Sequence, residues 1–217
     1  MKFKYAIFDM DGTLINSMYE WGRLSRNFLQ SHNIEYNDNI SRIVSKMTLE
    51  GAAEYFAFNF DLGLKKEQVY YEMMKRMEFY YENKFVLKAG VKDYLLLLHK
   101  NNIKLCVATS TNEKLAIKCL ERLGIINLFE NVFSCETYGL SKRKPDIYNM
   151  AANYMGGKPE ETAVFEDAPF AAQTAKNAGF ITIGVYDVCF KNEQNILTNI
   201  CDKYIISFEE LFKNDSL

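Results

Sequence analysis

Residues Tyr5–Phe8 form a continuous apolar run, the pattern of a short strand buried on both faces, and the run stops at Asp9-Met10-Asp11-Gly12-Thr13. From Ser17 the period becomes helical. Met18, Trp21, Leu24, Phe28 and Leu29 fall on one face, with Ser17 placed to cap the helix. Further helices are expected at about residues 39–47, 51–60 and 65–81. The last has the clearest stripe: Val69, Met73, Met77 and Tyr80, with Tyr70, Met74 and Tyr81 beside it. Such a stripe reads as helix core. Nothing between about 17 and 85 has the alternation of a strand.

After Gly90 strands and helices take turns. Residues 91–101 are helical, and 103–110 (IKLCVATS) form a buried strand ending in small hydroxyl residues. Residues 113–123 form a helix that Gly124 closes, 131–134 a strand, and 146–155 a helix with Pro145 at its start. Residues 162–167 (TAVFED) form a strand ending in acids, followed by a helix over 170–178 that Gly179 closes. A strand at 181–185, an edge strand at 204–206 and a short last helix complete the chain. This alternation implies βαβ units and a parallel sheet with helices on both faces. The fold class is therefore α/β: a Rossmann-like parallel core with an all-helical block inserted after the first strand. The expected boundaries are 1–15 and 88–217 for the core and 16–87 for the insert. In open sheets of this kind ligands bind beyond the carboxyl ends of the strands.

Composition narrows the function classes. The chain has 217 residues, 48% apolar and 25% charged, which is ordinary for a globular protein. A net charge of −2 gives no footprint for nucleic acid or an anionic membrane, and the basic run Ser141–Lys144 is too short to change that, a solvated turn being its plainest use. Five cysteines without C-x-x-C spacing point to a reducing compartment. Two histidines, His32 and His99, with no cysteine cluster beside them argue against structural zinc. The first apolar run breaks at Asp9, too short for a signal peptide, and no window approaches the roughly 18 apolar residues of a membrane span. The expectation is a soluble cytoplasmic protein with no nucleic-acid or membrane partner. Oligomeric state is left open, with a monomer compatible.

The strand ends carry the chemistry. The first offers Asp9, Asp11, Gly12 and Thr13; the next, Thr109 and Ser110; the SKRKP loop, Lys142 and Lys144; and the following strand, Glu166 and Asp167. Carboxylate oxygens without histidine or thiolate suit a hard cation, magnesium first among them. Carboxylates packed together repel one another, and a divalent cation or a lysine relieves this. Magnesium commonly shares its ligands with a phosphate, and a lysine with hydroxyl donors fits a phosphoryl group. A carboxylate can attack phosphorus, and a second can act as general acid and base. Taken singly the pieces have plainer uses. Asp-Gly is a turn signal, Glu-Asp-Ala-Pro opens a helix, and Thr-Ser-Thr-Asn caps one. Capping accounts much less well for all of them together, in order, each after an expected strand.

In that order the segments resemble the motifs of the haloacid dehalogenase superfamily. FDMDGTL resembles the D-x-D-G-T motif, VATST the Thr/Ser strand end, SKRKPDIY the lysine motif, and VFEDAPFAAQTAKNAG the acidic pair with its helix. The helical insert is similar to the cap of the phosphoglycolate phosphatase and β-phosphoglucomutase branch. The resemblance implies Asp9 as nucleophile and Asp11 as general acid/base, with the backbone carbonyl of Asp11 as a magnesium ligand. It implies Thr109 and the amide of Ser110, beside Gly12, as phosphate-binding groups. Lys142, three residues before Pro145, would neutralise the phosphoryl group and Asp9. Asp167 would complete the Mg2+ shell, with Glu166 either a ligand or a group behind one.

Several positions depart from the family pattern. Asn16 stands where an acid is usual, and Ser141 and Ala171 where glycine is usual. Trp21 stands ten residues after Asp11, where β-phosphoglucomutases carry histidine, and no counterpart of their cap arginine lies near residues 47–51. Asp11 itself speaks against a dehalogenase, which attacks carbon and has no leaving alkoxide to protonate. The expected function is a magnesium-dependent phosphatase acting on a small phosphorylated metabolite through an aspartyl-phosphate. A sugar phosphomutase and a catalytically weak binding relative are the alternatives. Trp21 and the Met47–Thr48 turn are candidate substrate contacts, with packing the plainer role for Trp21.

Overall fold

The structure is a computed structural model and describes residues 3–44 and 47–212. Its centre is a six-stranded, wholly parallel sheet: β1 (Tyr5–Phe8), β2 (Lys104–Thr109), β3 (Asn131–Ser134), β4 (Thr162–Glu166), β5 (Ile181–Val185) and β6 (Lys203–Ile205). Their order across the sheet is β3-β2-β1-β4-β5-β6, the order of a doubly wound sheet. β1 lies in the middle, so the chain runs outward from it first to one side and then to the other. A crevice forms at the carboxyl ends of strands where the order reverses.

The continuous apolar character of β1 follows from burial on both faces. On one face Phe8 stacks on its register partner Phe165 with ring centroids 4.3 Å apart. Phe208, Tyr94 and Phe3 close around that pair. On the other face Ile7 and Val164 pack with Cys106, Ala108, Tyr148, Met155 and Phe180. Each fully buried side chain of this size contributes about 1.5–3 kcal/mol, and each aromatic pair about 0.5–1.5 kcal/mol more.

The helices are α1 (Met18–Ser31), α2 (Asp38–Val44), α3 (Leu49–Asn59), α4 (Lys66–Asn83), α5 (Val91–Lys100), α6 (Glu113–Arg122), α7 (Cys135–Tyr138), α8 (Asp146–Met155), α9 (Pro169–Asn177) and α10 (Gln194–Ile200). The chain divides into two compact units, Met1–Met18 with Phe85–Leu217, and Tyr19–Lys84. Within the helical unit the α4 stripe is buried as its spacing requires, with Val69, Met73, Met77 and Tyr81 inside. Phe28 of α1 stacks on Phe56 of α3 at 5.8 Å.

Some local expectations change. The Ser17 hydroxyl is buried and caps nothing: it has no hydrogen-bond partner among the described residues. The helix expected at about 39–47 is α2, ending at Val44; Met47 is not helical, and Ser45 and Lys46 lie outside the described residues. Thr48 is the N-cap of α3, accepting from the Gly51 amide at 3.1 Å. The short α7 and α10 carry too few apolar positions to register as a period. The last helix among the described residues is a single 3-10 turn, Phe208–Leu211, closed by a capping box between Ser207 and Glu210. No helix among the described residues is long and apolar enough to cross a membrane.

Candidate active site

The site grows from the end of β1. The Asp9 amide still donates to Phe165 O at 3.0 Å, which holds Asp9 in line with β4. The chain then turns. The Leu14 and Ile15 amides both donate to Met10 O at 2.9 and 3.0 Å, and the Gly12 amide to Ile15 O at 3.0 Å. Asp11 therefore belongs to a turn, paired in a bridge with Ile15, and not to a continuing strand. Gly12 makes the turn possible, with φ +87°, a conformation that glycine adopts without strain. A Cβ there would also lie 2.7 Å from Asp167 Cγ.

Asp9, Glu166 and Asp167 are 6%, 1% and 2% exposed, and one carboxylate oxygen from each lies within 4.8 Å of the others. Into this acidic group reaches Lys142, 5% exposed, whose ammonium donates to Asp9 Oδ1 and to Glu166 Oε1, the latter at 2.6 Å. Tyr148 of α8 donates its hydroxyl to the same Glu166 oxygen at 2.8 Å. Burial alone would lower the Lys142 pKa, but the Asp9 and Glu166 carboxylates outweigh it and hold the ammonium above the ordinary lysine value. Burial pushes Glu166 up to about 7, against the opposing pull of Lys142. Burial, then the charges of Asp9, Glu166 and Asp187, push Asp167 well above the ordinary carboxylate range.

Fully ionised, three carboxylates against one ammonium leave two negative charges uncompensated. Asp9 Oδ2 and Asp167 Oδ2 are buried and have no hydrogen-bond partner among the described residues. Buried oxygens without partners are costly, and a hard divalent cation is the ligand such a set fits. Asp9 and Asp167 are the residues that could hold it. Glu166 has one oxygen shared between Lys142 and Tyr148 and is the better placed to orient the lysine.

The Asp11 carboxylate is not part of this group. Its Oδ2 accepts from Thr111 Oγ1 at 2.7 Å. Thr109 ends β2, is 1% exposed, and its hydroxyl accepts from the Thr111 amide at 3.0 Å. Ser110 between them is exposed. Trp21 lies in the helical unit, where its indole donates to Tyr81 OH at 2.9 Å.

The sequence does not single out four residues around the site. Thr111 hides inside an ordinary helix-capping tetrad, because Asn112 does cap α6. Tyr148 lies in the quoted lysine motif but looks like a core residue of α8. Asp187 sits two residues past β5 and adds its charge to the field on Asp167. It is paired with Lys88 at 2.9 Å, and an acid just beyond a strand end was the available signal. No signal marked Lys88.

Comparison with known proteins agrees with this architecture. The model of the haloacid dehalogenase-like hydrolases matches residues 3–179. Validoxylamine A 7'-phosphate phosphatase of Streptomyces hygroscopicus subsp. limoneus is 29% identical over 191 residues, covering 84% of this chain and 85% of that protein. β-Phosphoglucomutase of Bacillus subtilis strain 168 is 27% identical over 194 residues, covering 84% and 83%. The crystal structure of a β-phosphoglucomutase candidate from Thermotoga maritima shares the fold, with a TM-score of 0.79 at 23% identity over 100% of both chains. With the family model covering most of the sequence, from the first strand through the α9 helix, the chain belongs to the haloacid dehalogenase-like hydrolases.

Proposed function

We propose that the protein is a magnesium-dependent phosphatase of small phosphate monoesters, working through an aspartyl-phosphate on Asp9. The observation that carries this is Lys142 held between Asp9 and Glu166, while Asp9 Oδ2 and Asp167 Oδ2 are buried with no hydrogen-bond partner among the described residues. Such a centre is matched to a dianionic phosphoryl group together with a divalent cation. Asp9 and Asp167 would hold Mg2+, with the Asp11 backbone carbonyl. When bound, it would offset carboxylate and phosphoryl charge and so let the two approach.

A carboxylate oxygen of Asp9 attacks phosphorus, and the bond to the leaving oxygen breaks. Lys142 offsets the charge on the phosphoryl oxygens, and Thr109 with the Ser110 amide orients them. Asp11 gives the leaving oxygen its proton, then takes one from the water that attacks the aspartyl-phosphate and releases inorganic phosphate. Glu166 and Tyr148 keep Lys142 in place. The helical unit Tyr19–Lys84 is read as the substrate-selecting cap of the family, with Trp21 as its candidate contact.

A panel of phosphate esters tests this on wild type and Asp9→Asn. Turnover is expected with Mg2+, none with chelator, and none for the variant. Turnover that survives Asp9→Asn overturns the nucleophile assignment. Similarity to a β-phosphoglucomutase favours sugar phosphomutase activity as the second reading. Dependence on a sugar bisphosphate with little phosphate release would select it; Trp21 at the position of the mutase histidine speaks for the phosphatase.

A further inference from the structure

We infer that Thr111 positions Asp11 for proton transfer. The inference rests on the phosphatase reading, and it concerns a residue outside those assigned to the phosphoryl group and the metal. Thr111 Oγ1 donates to Asp11 Oδ2 at 2.7 Å, across 100 positions of sequence. Asp11 is half-buried in the turn after β1, where its backbone pairs in a bridge with Ile15.

Thr111, by contrast, is fixed at its backbone and at its side chain. Its amide donates to Thr109 Oγ1 at 3.0 Å, and its carbonyl accepts from the fully buried Ser134 hydroxyl at 2.8 Å. The next residue, Asn112, accepts from the Lys114 and Leu115 amides and anchors α6. Thr111 is itself 9% exposed, and its β-branch narrows the χ1 choices of the hydroxyl. The result is a rigid donor aimed at the one carboxylate of the site that must face the leaving group.

The chemical role is limited. As the phosphorus–oxygen bond breaks, its electron pair goes to the leaving oxygen and Asp11 supplies the proton. Thr111 makes and breaks no covalent bond. It holds the carboxyl so that the transfer distance is met, and small misplacements of such groups carry large kinetic costs.

Leaving-group chemistry separates this role from simple packing. An alkyl phosphate expels an alkoxide that needs the proton. 4-Nitrophenyl phosphate expels a stabilised phenolate that hardly does. Thr111→Val keeps the shape and removes the donor; Thr111→Ser keeps the donor. General acid catalysis is worth about 10²–10⁴-fold, so a displaced Asp11 should cost Thr111→Val about 10–100-fold in kcat on the alkyl ester. On 4-nitrophenyl phosphate the loss should stay below about threefold, with KM for both esters little changed. Thr111→Ser should recover most of the alkyl-ester rate and, even if the valine variant does not fold, should remain close to wild type on both esters.

Equal losses on the two esters, no loss on either, or a serine variant as impaired as the valine one would overturn the positioning role while leaving the phosphatase intact. Wild-type protein inert toward both esters with Mg2+ would remove the phosphatase reading and this role with it.

Discussion

Gly12 and Asp167 touch through the space a side chain would need: a Cβ on Gly12 would sit 2.7 Å from Asp167 Cγ. The two residues lie 155 positions apart, and the turn after β1 is built around that approach. Gly12→Ala must therefore both displace the Asp167 carboxylate and hold alanine at φ +87°. The strain costs about 1–3 kcal/mol. The expected outcome is a lower melting temperature and Mg2+ affinity weakened by about 10–100-fold, the range seen when a group that orients a ligand is lost. Calorimetric titration with Mg2+ alone measures the second effect.

Stability should fall as pH rises in chelator. Folding raises Glu166 from 4.5 to about 7 and raises Asp167 in the same direction, so between those values the folded chain binds more protons than the unfolded one. Unfolding free energy then decreases with pH across the window from 4.5 to about 7. Excess Mg2+ opposes this near pH 7, because binding to the folded state alone adds about 2.7 kcal/mol at 100 times Kd. Melting curves over pH with Mg2+ and with chelator should converge in acid and separate near neutrality. Parallel curves would contradict the acidic group as the metal site.

Tyr148→Phe tests how Lys142 is held. It removes one donor from Glu166 Oε1 and leaves the ring packed in the core of the sheet unit. Hydrogen bonds to charged groups contribute about 1.5–3 kcal/mol, so a destabilisation in that range is expected. Chemical denaturation reads it. The rate should fall modestly, since Lys142 keeps Asp9 as its other partner.

The terminal 3-10 turn is a structural part of the sheet unit. Phe208 is fully buried against Tyr94, Phe165 and Phe8, with centroids 5.7, 5.8 and 6.3 Å away. Phe208→Ala should cost about 3–5 kcal/mol in urea denaturation, the usual price of a large core cavity. A loss under about 1 kcal/mol would mean that the turn is not docked.

The strands were the most legible elements. β1, β3 and β5 have the bounds expected from the sequence; β1, in the middle of the sheet and covered on both faces, is the clearest because its run is apolar throughout. Asp9, Lys142, Glu166 and Asp167 were legible for a related reason. Charged residues at the end of buried strands or just past them, or in a loop between alternating elements, have few structural reasons to recur together. The Ser17 cap was misread because the small hydroxyl types that cap helices also fill tight buried spaces, and sequence does not separate the two. Thr111 and Asp187 stayed unmarked because each is an ordinary residue for a turn, and its importance lies in what a distant segment brings to it.

By itself the sequence determined the α/β alternation, the helical insert and the acidic and basic residues at the strand ends. Those features are written in local periodicity, which depends only on which faces of an element are buried. Tertiary structure alone decided the strand order that puts β1 between β2 and β4, and the pairing of Lys142 with both Asp9 and Glu166. It also decided that Asp11 leaves the acidic group for Thr111, since β1 ends at Phe8 and the backbone turns at Met10. A turn sets side-chain direction through hydrogen bonds between its own atoms and distant strands, and no periodicity along the chain encodes those.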